Sequence, residues 1–110
     1  MEKLTDRSCV PCEGDFPALT REQATDFMEH IPGWSLSEDA KQITRDYTFK
    51  DFAEALAFTN AVGALAEEEG HHPDIQLSWG KVGISLTTHA IEGLSENDII
   101  LAAKIDLIEQ

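Results

Sequence analysis

Two adjacent histidines, His71 and His72, follow three glutamates in the segment EEEGHHPD, residues 67–74. Imidazole titrates near neutrality, so each ring can both give and accept a proton at working pH. The glutamates end a predicted helix, where negative charge is slightly unfavourable and favours protonated histidine nearby. Such a cluster is typical of a functional site. The alternative is a solvated acidic helix end beside an ordinary loop.

The positions of the histidine rings follow from the backbone around them. Pro73 favours extended geometry at the residue before it, and successive side chains on an extended backbone point to opposite sides. Each ring is therefore expected to have its own task. The segment IQLSWGKVGISLTTH predicts a hairpin that turns near Gly80 and ends at His89. In an antiparallel hairpin this arrangement would bring His71, His72 and His89 to one rim of the sheet.

Asp98 lies in the segment SEND, at the start of a predicted C-terminal helix. Ser95 and Asp98 would form a capping box there. This structural duty explains the aspartate adequately, and an active-site role would be an addition. Trp34 and Trp79 are interpreted mainly as packing residues, although Trp34 follows a Pro-Gly break and would be able to wall a cleft.

The elements that must position these residues follow from periodicity and capping signals. Thr20 and Gln23 would cap a first helix that ends at Pro32-Gly33, and WSLSEDAKQITRDYTF predicts a first hairpin. The segment KDFAEALAFTNAVGALAEEEG is the longest predicted helix, and Gly70 would end it. The order helix, two strands, helix, two strands, helix predicts an α+β fold, with one four-stranded antiparallel sheet and three helices packed on one face.

Apolar positions predict which side chains face the core. The inward set of the long helix is Phe52, Ala55, Leu56, Phe58, Val62, Leu65 and Ala66. The inward candidates elsewhere are Ile75, Leu77 and Trp79 opposite Val82, Ile84 and Leu86 in the second hairpin, and Ile99, Ile100, Ala103 and Leu107 in the last helix. A second stripe on the long helix consists of Ala53, Ala57, Ala61 and Ala64. These alanines are either simple helix formers or the contact for another helix, including one from a second subunit.

Composition narrows the class of protein. A chain of 110 residues fits one domain, and 42% hydrophobic residues suffice for a core. The net charge of −13 disfavours nucleic acid and anionic membranes as direct partners. No apolar run approaches the roughly 20 residues that span a bilayer. The segment MEKLTDRSC lacks the apolar core of a secretory signal, so a cytoplasmic location is expected.

The N-terminal residues 1–18 lack periodicity and are expected to form a flexible arm before a domain at 19–110. The arm holds a lone Cys-x-x-Cys, Cys9 and Cys12. A four-thiolate zinc site needs two more cysteines, and a redox pair normally opens a helix after a strand. Neither role is therefore favoured for these cysteines.

Three motifs carry a resemblance to a known family. They are E-x-x-x-H-H-P at 67–73, W-x-x-V-x-I-x-L-x-T-H at 79–89, and the following GLSENDIILAAKID. With GWSL and YTFKDFAEALAF upstream, the chain resembles the pterin-4a-carbinolamine dehydratase family over about residues 20–108. That family also includes the dimerisation cofactor of a homeodomain transcription activator.

The resemblance implies a hydro-lyase that converts 4a-hydroxytetrahydropterin to quinonoid dihydropterin and water without a metal or organic cofactor. It implies that tetrahydropterin is recycled for an aromatic amino acid hydroxylase. By resemblance, His71 and His89 form the acid–base pair and His72 orients the pterin. The substrate-binding set is Glu67, Pro73, Thr87, Thr88, Ala90, Asp98 and, as a cleft wall, Trp34. The family also implies a homo-dimer or homo-tetramer, here through the 51–69 helix.

Two other classes of function stay open. One is a binding or coactivator module that keeps the fold, for which the two-faced long helix is the motivation. The intact His-His-Pro and Thr-His motifs disfavour a purely binding copy. The other is a zinc hydrolase with His71, His72 and His89 as ligands, which is awkward because adjacent ligands would point apart.

Overall fold

The structure is a computed structural model that describes residues 18–88 and 91–108. Its helices are α1 (Arg21–Met28), α2 (Phe52–Glu69) and α3 (Glu96–Ile105), and its strands are β1 (Ser35–Leu36), β2 (Ile43–Thr48), β3 (Asp74–Ser78) and β4 (Lys81–Leu86). All strand pairs are antiparallel, in the spatial order β1-β2-β4-β3. The helices cover one face of this sheet. The predicted α+β fold and its element order are confirmed.

Capping residues close to each terminus determine where α1 and α2 begin and where α2 ends. The predicted capping box of α1 forms, with the Gln23 N–H donating to Thr20 Oγ1 at 3.1 Å and the Thr20 N–H donating to Gln23 Oε1 at 2.9 Å. Asp51 caps α2 through the Glu54 N–H. Gly70 ends α2 with φ of 68°, a left-handed conformation that glycine adopts without a side-chain penalty. The chain thereby turns out of α2 directly before His71.

The core lies between the helices and one face of the sheet. Ile75 pairs with Ile84 and Leu77 with Val82, as the alternation in the second hairpin predicts. The buried apolar residues of the central strands and of α2 are Ile43, Tyr47, Val82, Ile84, Leu86, Ala55, Phe58, Val62 and Ala66. The other face of the sheet carries polar side chains, including Asp46, Thr48 and Gln76, and these are exposed. The sheet therefore buries one face only.

Four predicted inward positions are wrong. Trp79 is 72% exposed, because β3 ends at Ser78 and the turn at Gly80 carries the indole away from the core. Phe52 and Leu56 are exposed as well, since only the Ala55–Phe58–Val62–Ala66 stripe of α2 is buried. Leu107 is also exposed, because α3 ends at Ile105 and the chain leaves the helical register that would have turned it inward.

Within residues 18–88 and 91–108, no helix is long and apolar enough to span a membrane. The predicted N-terminal arm, with Cys9 and Cys12, falls almost entirely at positions 1–17, outside the described residues. His89 and Ala90 lie outside them as well.

Candidate active site

Asp98 is the buried centre of the candidate site. It lies in the first turn of α3, and its side chain is 0% exposed. Its Oδ2 atom accepts hydrogen bonds from the Ser95 N–H at 2.9 Å and from Thr88 Oγ1 at 2.7 Å. The predicted capping box is therefore formed. The Oδ2 atom thus accepts hydrogen bonds at the start of α3, and the Oδ1 atom is available to a different partner.

His71 is that partner. Its Nε2 atom lies 2.5 Å from Oδ1 of Asp98, and its side chain is 12% exposed. The left-handed Gly70 places it there, and the His71 N–H donates to the carbonyl of Ala66. An ionised carboxylate only accepts hydrogen bonds, so Nε2 is the donor and Nδ1 is the ring atom left to exchange a proton. A buried carboxylate in this position holds the ring in one orientation.

His72 has a separate partner and a separate environment. Its Nε2 atom lies 2.8 Å from Oε1 of Glu67, with side-chain exposures of 59% and 79%. Pro73 and Asp74 then lead directly into β3. The adjacent histidines thus contact different carboxylates, one buried and one at the surface. The two rings therefore have different surroundings, and their separate tasks stay a prediction.

Thr88 and Thr87 contact different parts of the protein. Thr88 is 4% exposed, and its hydroxyl lies between Asp98 and the Ser95 hydroxyl, which is 2.8 Å away. Thr87 donates through Oγ1 to the carbonyl of Lys41 at 2.6 Å. The structure brings Thr88 to the His71–Asp98 pair, whereas Thr87 bonds to the chain just before β2. Their contact with a substrate stays a prediction.

Trp34 lies at the opposite end of α3. Its indole is buried, and Nε1 donates to both carboxylate oxygens of Asp106, at 3.1 Å each. Arg45 and Tyr47 donate to Oδ1 of the same carboxylate, at 2.9 and 2.6 Å. Burial and the Asp106 carboxylate raise the pKa of the Tyr47 hydroxyl well above its ordinary value of 10.0. The packing interpretation of Trp34 agrees with this position, away from His71.

Glu69 departs from the interpretation as a solvated helix end. Its Oε2 atom lies 2.9 Å from Nζ of Lys104 in α3, and the two side chains are only 9% and 15% exposed. The partners are 35 positions apart, so local sequence patterns carry no signal for the contact. Glu68, by contrast, is exposed as expected.

The rest of the predicted site lies beyond the described part of the chain. His89 and Ala90 follow Thr88 directly and are outside the described residues. Among residues 18–88 and 91–108, no group of three or more His, Cys, Asp or Glu side chains is arranged to hold a metal ion. The described site is therefore a buried His–Asp pair with a second histidine at the surface.

Comparison with known proteins points to one family. The sequence profile of the family described as pterin 4 alpha carbinolamine dehydratase matches residues 17–108. A protein of Azoarcus sp. (strain BH72) is 46% identical over 108 residues, covering 98% of this chain and 92% of its own. One from Halorhodospira halophila is 49% identical over 105 residues, covering 96% of each. Both are provisionally named pterin-4-alpha-carbinolamine dehydratase.

Two solved structures share the fold. A transcriptional coactivator/pterin dehydratase from Brucella melitensis has a TM-score of 0.76 and 31% identity, covering 81% of this chain and 95% of its own. A pterin dehydratase-like protein identified as a RuBisCO assembly factor in the α-carboxysome has a TM-score of 0.58 and 28% identity, covering 67% and 86%. The fold thus occurs in proteins described with different roles.

Proposed function

Because the chain belongs to the pterin 4 alpha carbinolamine dehydratase family, we propose that it dehydrates a 4a-hydroxytetrahydropterin to quinonoid dihydropterin and water. The observation that most supports this activity is the buried pair of His71 and Asp98, with 2.5 Å between Nε2 and Oδ1. A dehydratase of this type needs a proton donor held in one orientation at neutral pH, and this pair meets that need.

The proposed reaction breaks the C4a–O bond and moves two protons. A protonated imidazole gives its proton to the 4a-hydroxyl, which leaves as water with the bonding electron pair. A second imidazole removes the proton from the ring nitrogen next to C4a, and the electrons left on nitrogen form the new C=N bond. No electrons are gained or lost overall. His71 and His89 take these two roles, and Asp98 stabilises His71 while it is cationic.

The remaining predicted residues would hold the substrate. His72, bonded to Glu67 at the surface, would orient the pterin beside the reacting histidine. Pro73, Thr87 and Ala90 would border it. The product would serve tetrahydropterin recycling for an aromatic amino acid hydroxylase. The exposed face of α2 would join subunits of a homo-oligomer, through the stripe of Ala53, Ala57, Ala61 and Ala64.

A stopped-flow assay with freshly made 4a-hydroxytetrahydropterin tests the activity, after subtraction of the uncatalysed reaction. We expect His71→Ala and His89→Ala each to lower the catalysed rate by about 10²-fold or more, the usual contribution of a general acid or base. His30→Ala is the matched control, because His30 is exposed after α1, outside the site. Near-wild-type turnover in both site variants would contradict the proposal.

A second candidate function is a binding module, and the exposed Phe52 and Leu56 side chains favour it. The related proteins described as a coactivator and as an assembly factor fit the same idea. Binding through α2 should survive His71→Ala and be lost in Leu56→Glu, whereas dehydration should show the reverse pattern. A wild-type protein that dehydrates the substrate and captures no partner in a pull-down would exclude this role.

A further inference from the structure

The C-terminal end of α2 is joined to α3 at two places. One is the contact between His71 and Asp98, and the other is the ion pair between Glu69 and Lys104. Glu69 is the last residue of α2, and only Gly70 separates it from His71. Asp98 and Lys104 belong to the same helix, α3. The ion pair and the candidate catalytic contact are therefore two links between the same two elements.

The segment between these two links is short. Gly70 and His71 both donate their N–H groups to the carbonyl of Ala66, and the chain then enters β3 at Asp74. An α-helix such as α3 is a rigid spacer between its own residues. A shift of Glu69 against α3 would consequently move the point at which the His71 ring meets Asp98.

The charges of the pair also favour a positional role. A glutamate at the end of α2 opposes the helix dipole, and removing two charges from water is unfavourable even when they pair. Buried ion pairs are accordingly weak contributors to stability, and their best-supported use is to fix one arrangement of the elements. Proteins tend to keep residues that lower stability at their functional sites. Glu69, which opposes the helix dipole beside the candidate active site, fits this pattern.

We propose that Glu69 and Lys104 are positioning residues, whose ion pair holds the end of α2 so that His71 stays in hydrogen-bonding contact with Asp98. The inference rests on the proposed dehydration for its effect on turnover. The structural part of the proposal is that the His71–Asp98 contact depends on the Glu69–Lys104 ion pair. This part can be tested without a substrate. Glu69 and Lys104 act through His71 and not on the substrate.

Lys104→Met is the primary test, with two readouts. We expect kcat to fall by about tenfold while KM stays within about twofold, because a displaced acid–base group affects the reacting geometry more than binding. The second readout is the low-field proton NMR resonance of the His71 Nε2–H, identified by its loss in His71→Ala. We expect this resonance to weaken or disappear in Lys104→Met.

Lys81→Met is the matched control. Lys81 pairs with Asp46 at 3.6 Å, and the two side chains are 54% and 64% exposed. This variant removes the same charge by the same substitution from an exposed pair on the sheet, and we expect turnover and the resonance to be unchanged. Near-UV circular dichroism and thermal unfolding identify a temperature at which every variant is folded.

Two rescue variants separate positioning from general damage. Lys104→Arg keeps the pair and should retain turnover. The charge exchange Glu69→Lys with Lys104→Glu puts a lysine at the C-terminal end of α2 and a glutamate at that of α3. The gain in dipole interaction at one helix largely offsets the loss at the other. The exchange should restore most of the kcat lost in Lys104→Met and recover the resonance. A folded Lys104→Met protein with wild-type kcat and an intact resonance would overturn the inference.

The two proposals fail in distinguishable ways. An inactive wild-type protein contradicts the dehydratase proposal, yet loss of the resonance in Lys104→Met, with recovery in the charge exchange, still supports the positioning role. An active wild-type protein whose Lys104→Met variant keeps both kcat and the resonance contradicts only the positioning role.

Discussion

Two aspartates at opposite ends of α3 each accept hydrogen bonds from three groups, and those groups differ in their chemistry. Asp98, in the first turn of α3, accepts from Thr88, from the Ser95 N–H and from His71. Asp106, at the C-cap of α3, accepts from Arg45, Tyr47 and Trp34. Each carboxylate has three partners that are brought together by the fold. The difference lies in what those partners can do with a proton.

The Asp106 partners hold their protons at neutral pH. A guanidinium and an indole do not titrate there, and burial raises the pKa of the Tyr47 hydroxyl. The Arg45 guanidinium also lies 4.6 Å from the centre of the Tyr47 ring, a favourable cation–π geometry. The Asp98 cluster contains an imidazole, whose two ring nitrogens can each donate or accept a hydrogen bond. Arg45, Tyr47 and Trp34 hold the C-terminal end of α3, whereas the imidazole of His71 gives the Asp98 cluster the group that the proposed dehydration requires.

The largest effect should come from Asp98→Asn. An amide has its own N–H donors, so it no longer holds the His71 ring in one tautomer or stabilises the cation. We expect kcat for dehydration to fall by about 10²-fold or more in the folded variant. Stopped-flow turnover measures the loss. Equal turnover in Asp98→Asn and wild type would show that Asp98 has no larger role in catalysis than Asp106.

Asp106→Asn makes the same substitution at the other end of α3. We expect the free energy of unfolding to fall by about 2 kcal/mol, because Arg45 and Tyr47 lose a charged acceptor in a partly buried site. Denaturant unfolding gives the stability, and turnover in the folded protein should stay at the wild-type level. A turnover loss comparable with that of Asp98→Asn would show that the two clusters are not functionally separate.

The Tyr47 hydroxyl should give stability a dependence on alkaline pH. The folded state raises the pKa of this group, while the unfolded phenol titrates near pH 10. Its contribution to stability is therefore complete below about pH 10 and falls above that, by about 1.4 kcal/mol per pH unit. Denaturation curves of wild type and Tyr47→Phe, compared from pH 8 to pH 11, isolate the effect. Parallel pH dependence in both proteins would contradict it.

The smallest effect should come from the Thr88 hydroxyl. Thr88→Val keeps the shape and removes one donor to Asp98, and we expect kcat to fall by about fivefold, equivalent to one net hydrogen bond. Thr88→Ser retains the hydroxyl and should recover most of that loss. An increase in KM alone, with kcat unchanged, would instead favour the predicted role of Thr88 at the substrate.

The sequence predicts best those features that depend on neighbours along the chain. The capping boxes of Thr20 and Ser95, and the glycine that ends α2, are formed as predicted. Alternation in the second hairpin also predicts that Ile75 and Leu77 share a face with Val82 and Ile84, their partners in the sheet. Burial on α2 is predicted less well, because periodicity defines an apolar arc and only the packed neighbours decide how much of it is covered. Phe52 and Leu56 lie on the uncovered part.

By itself, the sequence determined the α+β order, the family, and the placement of two histidines at the end of a helix, because capping, periodicity and motifs act over a few residues. Only the tertiary structure decided that Asp98 meets His71 across 27 positions, that Glu69 pairs with Lys104 in a partly buried site, and that Trp34 donates to Asp106. These contacts depend on how helices cross the sheet and each other. Side chains distant in the sequence meet only after packing has fixed those elements in place.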